Sequence, residues 1–263
     1  MKKKALIFDC DGVIADTERY GHLRAFNQMW SEEGVKWRWS LEQYAEKLKI
    51  GGGKERMFSL RDDPEFQKVY DVPSSEDEWW EVVAGWHRRK GEIYRQLVQS
   101  GAIPGRTGVK RLAESTLADG WLVAVCSTSA VSSVEAITRY VMGPATAGRL
   151  AGIFAGDMAK AKKPAPDVYF LAADRLDLDP ADCIVIEDSR NGLLAAVTAG
   201  MTCLVTYNDL TKDEDFSEAA IVVSELGDPG VESIIVTRNR TSVDVSGFLT
   251  VRNLEEILAG QHR

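Results

Sequence analysis

The chain has 263 residues, enough for one large domain or a core with a smaller partner, and at 44% apolar and 27% charged it can bury a real core. Its net charge of −8 disfavours broad binding to nucleic acid or anionic membranes, so an anionic substrate would have to meet a local cationic cluster or a metal. No apolar run approaches the ~20 residues that cross a bilayer, and "ALIF" after the opening lysines is too short for a signal-peptide core. A soluble protein without a visible targeting peptide is expected. The cysteines, Cys10, Cys126, Cys183 and Cys203, sit singly inside apolar runs, the pattern of small buried hydrophobes in a reducing compartment.

The first element in chain order is a strand over 3–10, KKALIFDC, leading into Asp9-Cys10-Asp11-Gly12. A side-chain period of two sends Asp9 and Asp11 to the same side, and Gly12 permits a sharp turn. From 16 to 100 only helical patterns occur, in DTERYGHLRAFNQMWSEEG, SLEQYAEKL, GKERMFSL and a long run from SEDEWW to VQSG. Trp37, Trp39, Trp79, Trp80 and Trp86 are expected to pack this insert, His87 to lie on a helix surface, and the opening DTE to act as a hinge. Alternation then resumes: a helix over 105–119, a strand over 121–128 ending in Ser127-Thr128-Ser129, and a helix over 130–142. A strand over 152–157 follows, then KAKKPAPDVY with Pro164 opening a helix over 164–177. Next come a strand over 183–189 ending in Glu187-Asp188-Ser189, a helix over 190–199 and a strand over 201–208. After Glu225, the pieces SIIVT, GFLTV and a helical NLEEILAG are expected to pack on an edge of the core.

The strands are continuous apolar runs, as in parallel sheets covered on both faces. Strand–helix alternation therefore predicts a doubly wound α/β parallel sheet, Rossmann-like, built from 1–15 and 101–263, with an inserted all-helical cap over 16–100. Right-handed crossovers bring the C-terminal strand ends to one edge, where such sheets bind ligands. Asp9 and Asp188 could there ligate Mg²⁺, while Ser127 and Lys163 hold phosphoryl oxygens. A carboxylate nucleophile with a second acid two residues on suits phosphoryl transfer in two steps.

Each piece has a plainer explanation. DxDG can be a tight turn, STS a helix N-cap, a lysine before proline a surface residue, and GGGKERM a flexible linker. Three polar strand ends, with Asp188 and Lys163 in register with Asp9 and Asp11, argue for the chemical reading, with Lys160 and Lys162 solvated. In GGGKERM, glycines admit close approach and arginine suits bidentate phosphate binding, which implies a second anionic group on the substrate.

DCDGV, CSTS, KKPAPDVY and IEDS, in this order and with a helical insert after the first, resemble the four motifs of the haloacid dehalogenase superfamily, in its phosphatase and phosphomutase branch. The similarity covers roughly 3–225. GVKWRWSLEQYAEKLKIGGGKERM further resembles the CbbY-type proteins, which dephosphorylate xylulose 1,5-bisphosphate, and β-phosphoglucomutases share the same cap type. The resemblance implies Asp9 as nucleophile and Mg²⁺ ligand, and Asp11 as general acid/base with its carbonyl on the metal. It implies Ser127, Thr128 and Lys163 on the transferring phosphoryl group, and Asp188, with Glu187, completing the metal site. Glu18, Gly52, Gly53, Lys54 and Arg56 would contact substrate, while the role of His22 stays open. The expected activity is Mg²⁺-dependent hydrolysis of a sugar phosphate through an aspartyl-phosphate, with xylulose 1,5-bisphosphate giving xylulose 5-phosphate; the alternative is a phosphomutase. Dehalogenation needs neither Asp11 nor Asp188, and a binding-only protein would show a degraded motif. The expected partner is a small sugar phosphate, with no nucleic acid and no membrane. A monomer in the cytoplasm or chloroplast stroma is expected.

Overall fold

The computed structural model describes residues 2–50, 52–231 and 233–261. Gly51, from the GGGKERM patch, lies outside the described residues. The chain forms two compact units, Met1–Asp16 with Pro104–Arg263, and Thr17–Ile103.

The first unit is a seven-stranded sheet of β1 (Ala5–Phe8), β2 (Leu122–Cys126), β3 (Gly152–Phe154), β4 (Cys183–Glu187), β5 (Thr202–Thr206), β6 (Ile221–Val223) and β7 (Val236–Asn239). The spatial order is β3-β2-β1-β4-β5-β6-β7. The first six run parallel, and β7 pairs antiparallel with β6. β1, β4 and β5 are buried along their whole length, which explains their unbroken apolar composition. Strand order reverses at β1, which pairs with both β2 and β4. The C-terminal end of that pair is the topological switch point, where such sheets hold ligands.

Several boundaries differ from the sequence pattern, each for a local reason. The helix expected over 105–119 starts at Val109, because Gly108 before it turns with φ +85° and packs so tightly that a Cβ would lie 2.4 Å from the Gly227 carbonyl. Pro164 does not open a helix: the Lys163–Pro164 peptide is cis, the chain turns, and the helix is Asp167–Leu176. β3 stops at Phe154, and a short turn with Gly156 at φ +64° replaces the rest of the expected strand. β6 has only three residues, and β7 (VTRN) is exposed along its length, so neither carries a readable period. The C-terminal helix, Val251–Gln261, buries Val251, Leu254, Ile257 and Leu258 and packs against β4 and the Val109–Ala118 helix. It therefore covers a face of the sheet rather than an edge.

The second unit is helical, with its longest element at Glu76–Gln99. Ser75 caps that helix by accepting from the Glu78 amide, and Glu76, Asp77 and Glu78 favour the positive end of its dipole. Its buried face runs Trp79, Val83, Trp86, Lys90, Ile93, Tyr94 and Leu97, an apolar stripe at helical spacing interrupted by one lysine. Trp39, Trp79 and Trp86 are buried, Trp37 meets the Phe66 ring edge-on, and Trp80 stacks on Phe58 at 4.2 Å. Among the described residues no helix is long and apolar enough to cross a membrane. All four cysteines are buried.

Trp79 is fully enclosed, meets Trp86 edge-on at 5.4 Å, and donates its indole N–H to the Phe58 carbonyl at 3.0 Å. Trp79→Ala should cost about 3–5 kcal/mol, from the cavity and the abandoned carbonyl together. Urea unfolding checks this; a loss below about 1 kcal/mol would contradict the packing account.

Candidate active site

Because β1 and β4 are paired in register, the residues after Phe8 and Ile186 leave the sheet side by side. The Asp9 amide donates to the Ile186 carbonyl at 2.9 Å, so the first acid is tied to the strand carrying Glu187. Lys163 sends its ammonium between them, donating to Asp9 Oδ1 at 2.5 Å, Glu187 Oε1 at 2.7 Å and the Cys126 carbonyl at 2.9 Å. The Tyr169 hydroxyl also donates to Glu187 Oε1. Asp9, Glu187 and Asp188 are all buried, and one oxygen from each lies within 4.8 Å of the others.

Two of these three buried carboxyl groups thus share the ammonium of Lys163, and the third, Asp188, lies beside them. Burial pushes the Asp9 carboxyl up to about 8, against the pull of Lys163, with Glu187 and Asp11 adding to the rise. Burial, then Asp9 and Glu187, push Asp188 well above the usual carboxylate range. Burial opposes the charge of Lys163, yet Asp9 and Glu187 outweigh it and hold the ammonium above its usual range. Hard oxygen donors whose charged forms lack sufficient counter-charge from the protein fit a small divalent cation such as Mg²⁺, which would take the place of the protons.

Asp11 takes different partners. Its Oδ2 accepts from the Ser129 hydroxyl at 2.5 Å and from Ser127 at 3.3 Å, while its Oδ1 is buried with no hydrogen-bond partner among the described residues. Ser127, expected on a phosphoryl oxygen, here directs its hydroxyl towards Asp11 and accepts the Ser129 amide at 3.1 Å. Thr128 is half-buried between them.

Two glycines make room for the acids. A Cβ on Gly12 would lie 1.9 Å from Asp188 Oδ2, and one on Gly192 would lie 1.9 Å from Glu187 Oε2. At Gly12, φ +81° adds a second reason for glycine.

In the helical unit, Glu18 and Arg56 converge on one residue. The Tyr44 hydroxyl donates to Glu18 Oε2 at 2.6 Å, and Arg56 donates to that same hydroxyl at 3.3 Å and to the Ile50 carbonyl at 2.9 Å. Lys54 is exposed. Gly52 turns with φ +93°, but the space of its missing side chain holds the Glu55 carboxylate, and Gly53 lies against the His87 ring. His87 is therefore partly buried, not a free surface residue. His22 stacks on Tyr94 at 4.1 Å, and its Nδ1 lies 2.7 Å from the buried Lys90 ammonium. Burial and then Lys90 hold His22 well below its usual range, so its imidazole is neutral and accepts from the lysine.

The family model for haloacid dehalogenase-like hydrolases matches residues 3–200. The chain belongs to that family. A CBBY-like protein of Arabidopsis thaliana is 46% identical over 231 residues, 87% of this chain and 70% of that one. CbbY from Rhodobacter sphaeroides, solved with phosphate, is 36% identical with a TM-score of 0.69, covering 85% of this chain and 94% of that one. A variant of the same protein was solved with xylulose-(1,5)bisphosphate, at 35% identity, a TM-score of 0.69 and the same coverage. β-Phosphoglucomutase from Clostridium difficile, at 22% identity and a TM-score of 0.64 over 99% of each chain, shares the fold. Within the haloacid dehalogenase-like hydrolases this chain is a CbbY-like phosphatase.

The hydrolase cluster also contains residues that motif reading passed over. Ser129 and Tyr169 lay inside quoted motifs, STS and PDVY, yet nothing in the sequence says that they bind Asp11 and Glu187. Gly192 had only a weak signal, a glycine three residues after Ser189. Arg106 had none. Its guanidinium donates to the carbonyls of Gly12, Thr206, Tyr207 and Ser224 at 2.5, 2.8, 2.7 and 2.5 Å, tying the turn after Asp11 to the ends of β5 and β6.

Gly192→Ala must displace the Glu187 carboxylate, which would carry Lys163 and Tyr169 with it. Phosphomonoester hydrolysis should fall about 100-fold, the scale of an ångström-sized displacement at reacting groups. A steady-state rate within threefold of the parent enzyme would show that Glu187 tolerates the shift.

Proposed function

We propose that this phosphatase hydrolyses a sugar bisphosphate, xylulose 1,5-bisphosphate first among them, through an aspartyl-phosphate on Asp9. The observation that carries the chemistry is the buried cluster of Asp9, Lys163, Glu187 and Asp188, with Asp11 held apart on its serines. The relative solved with xylulose-(1,5)bisphosphate supports the choice of sugar.

Asp9 attacks phosphorus, forming its O–P bond as the sugar oxygen departs with the bonding electrons. Lys163, 2.5 Å from Asp9 Oδ1, offsets the charge that gathers between carboxylate and phosphoryl group. Asp11 delivers a proton to the departing oxygen, and its unpartnered Oδ1 is the atom free to do so. In the second half, Asp11 takes a proton from water, and the resulting hydroxide breaks the Asp9–phosphoryl bond to release phosphate. Separation of the two acids explains the division of labour: Asp9 sits among charges, and Asp11 sits among hydroxyls.

Asp9, Glu187 and Asp188 side chains, with the Asp11 carbonyl, are the groups that would hold Mg²⁺. Bound there, the ion supplies positive charge that lets an anionic nucleophile meet an anionic phosphate. In the helical unit, the set of Glu18, Tyr44 and Arg56, with Gly52, Gly53 and Lys54 nearby, is assigned to the rest of the substrate. The hydroxyl-binding carboxylate suits the sugar, and the guanidinium suits the phosphate that is not transferred.

Phosphate release should occur from xylulose 1,5-bisphosphate with Mg²⁺, stop on chelation, and disappear in Asp9→Asn. No turnover of any sugar bisphosphate would sink the substrate class. Conversion of β-glucose 1-phosphate without phosphate release would instead assign a phosphomutase. Arg56→Ala should raise KM for the bisphosphate by about 10- to 100-fold, the worth of a charge-assisted phosphate contact, and change that for a monophosphate far less. Equal effects on both substrates would remove Arg56 from recognition of the second phosphate.

A further inference from the structure

We propose that Asn208 is a positioning residue that presents the Asp188 carboxylate to the cation in a single orientation. The proposal rests on the assignment of Asp9, Glu187 and Asp188 as a divalent-cation site.

Asn208 lies just beyond β5, and its carboxamide nitrogen donates to Asp188 Oδ2 at 2.8 Å. The amide has no freedom to turn over. Its Oδ1 already accepts the Leu210 amide at 2.9 Å, which forces the nitrogen towards Asp188. The backbone is equally committed: the Asn208 amide donates to Thr211 Oγ1 at 3.1 Å, and its carbonyl accepts the Thr211 and Lys212 amides at 3.1 and 2.9 Å. The chain leading to this turn is held in place from the other side, since Arg106 grips the Thr206 and Tyr207 carbonyls together with that of Gly12.

Gly12 completes the fit. A Cβ there would lie 1.9 Å from Asp188 Oδ2 and 3.1 Å from the Asn208 carboxamide nitrogen. The contact between Asn208 and Asp188 therefore exists only because the turn after Asp11 lacks a side chain. With Oδ2 pinned in this way, the Asp188 carboxylate cannot rotate about its Cβ–Cγ bond without losing a hydrogen bond. Partners that fix a ligating side chain commonly contribute about 10- to 100-fold in metal affinity.

The test is Mg²⁺ titration by isothermal calorimetry on the full chain, comparing the parent with Asn208→Ser and Asn208→Ala, alongside the melting temperature without metal. Serine retains an oxygen that can accept the Leu210 amide but has no donor that reaches Asp188, so it spares the turn if alanine disturbs it. The expected result is a dissociation constant for Mg²⁺ raised about 10- to 100-fold in both variants, with the metal-free melting temperature of the serine variant near that of the parent. Parent-like Mg²⁺ affinity in the serine variant would overturn the role of Asn208 while leaving the cation site standing. A parent protein that takes up no Mg²⁺ would overturn the cation site and this proposal together.

Discussion

The core unit is organised around one electrostatic constraint: Asp9 and Glu187, paired to the ammonium of Lys163, are buried in one cluster with Asp188. Placing charge in a low-dielectric interior costs several kcal/mol per ion unless hydrogen bonds and counter-charges offset it. Every nearby feature serves that balance. Tyr169 and the Asp188 amide satisfy Glu187, Asn208 satisfies Asp188, and the Cys126 carbonyl takes one of the ammonium's three hydrogens. What the protein groups leave short is counter-charge for the ionised carboxylates, the condition under which a hard cation is favoured over protons.

Such a site works only if the backbone around it is rigid. The turn from Cys10 to Ala15 has its own hydrogen bonds, Gly12 to Ala15 and Ile14 to Cys10, but these do not use the Gly12 carbonyl. Arg106 collects that carbonyl with three others from the ends of β5 and β6. Five guanidinium donors in a planar fork make arginine suited to gathering carbonyls from several segments, which a lysine point charge cannot do. The turn that follows Asp11 is consequently anchored by a residue about which the motif says nothing.

The helical unit shows the same economy on a smaller scale. Lys90 occupies a position in the apolar stripe of its helix where the pattern calls for a hydrophobe, and it is accommodated by the Phe26 and Tyr94 rings at 4.7 and 5.2 Å and by neutral His22. A lysine there would be unfavourable without those partners. Tyr44 likewise carries both an acid and a base on one hydroxyl, in a unit otherwise filled by tryptophan and phenylalanine.

Local patterns determined a great deal of this protein. Continuous apolar runs reveal the buried strands β1, β2, β4 and β5, since burial on both faces leaves no polar positions, and the loss of strand pattern after Asp16 reveals the helical insert. The acids Asp9, Asp11, Glu187 and Asp188 were also legible, because strand ends impose their placement within a few residues; Lys163, well past the end of β3 in a turn before its helix, was legible only as a lysine preceding a proline. Tertiary structure alone decided the rest. The partners of Arg106 lie 94 to 118 residues away, and Asn208 lies 20 from Asp188, distances over which no periodicity carries information. β6 and β7 are too short or too exposed to bear a pattern, and the C-terminal helix found a sheet face that its own amphipathic stripe could not name. Sequence spacing assigns a side chain to a face, whereas a hydrogen bond depends on which distant segment the fold brings to it.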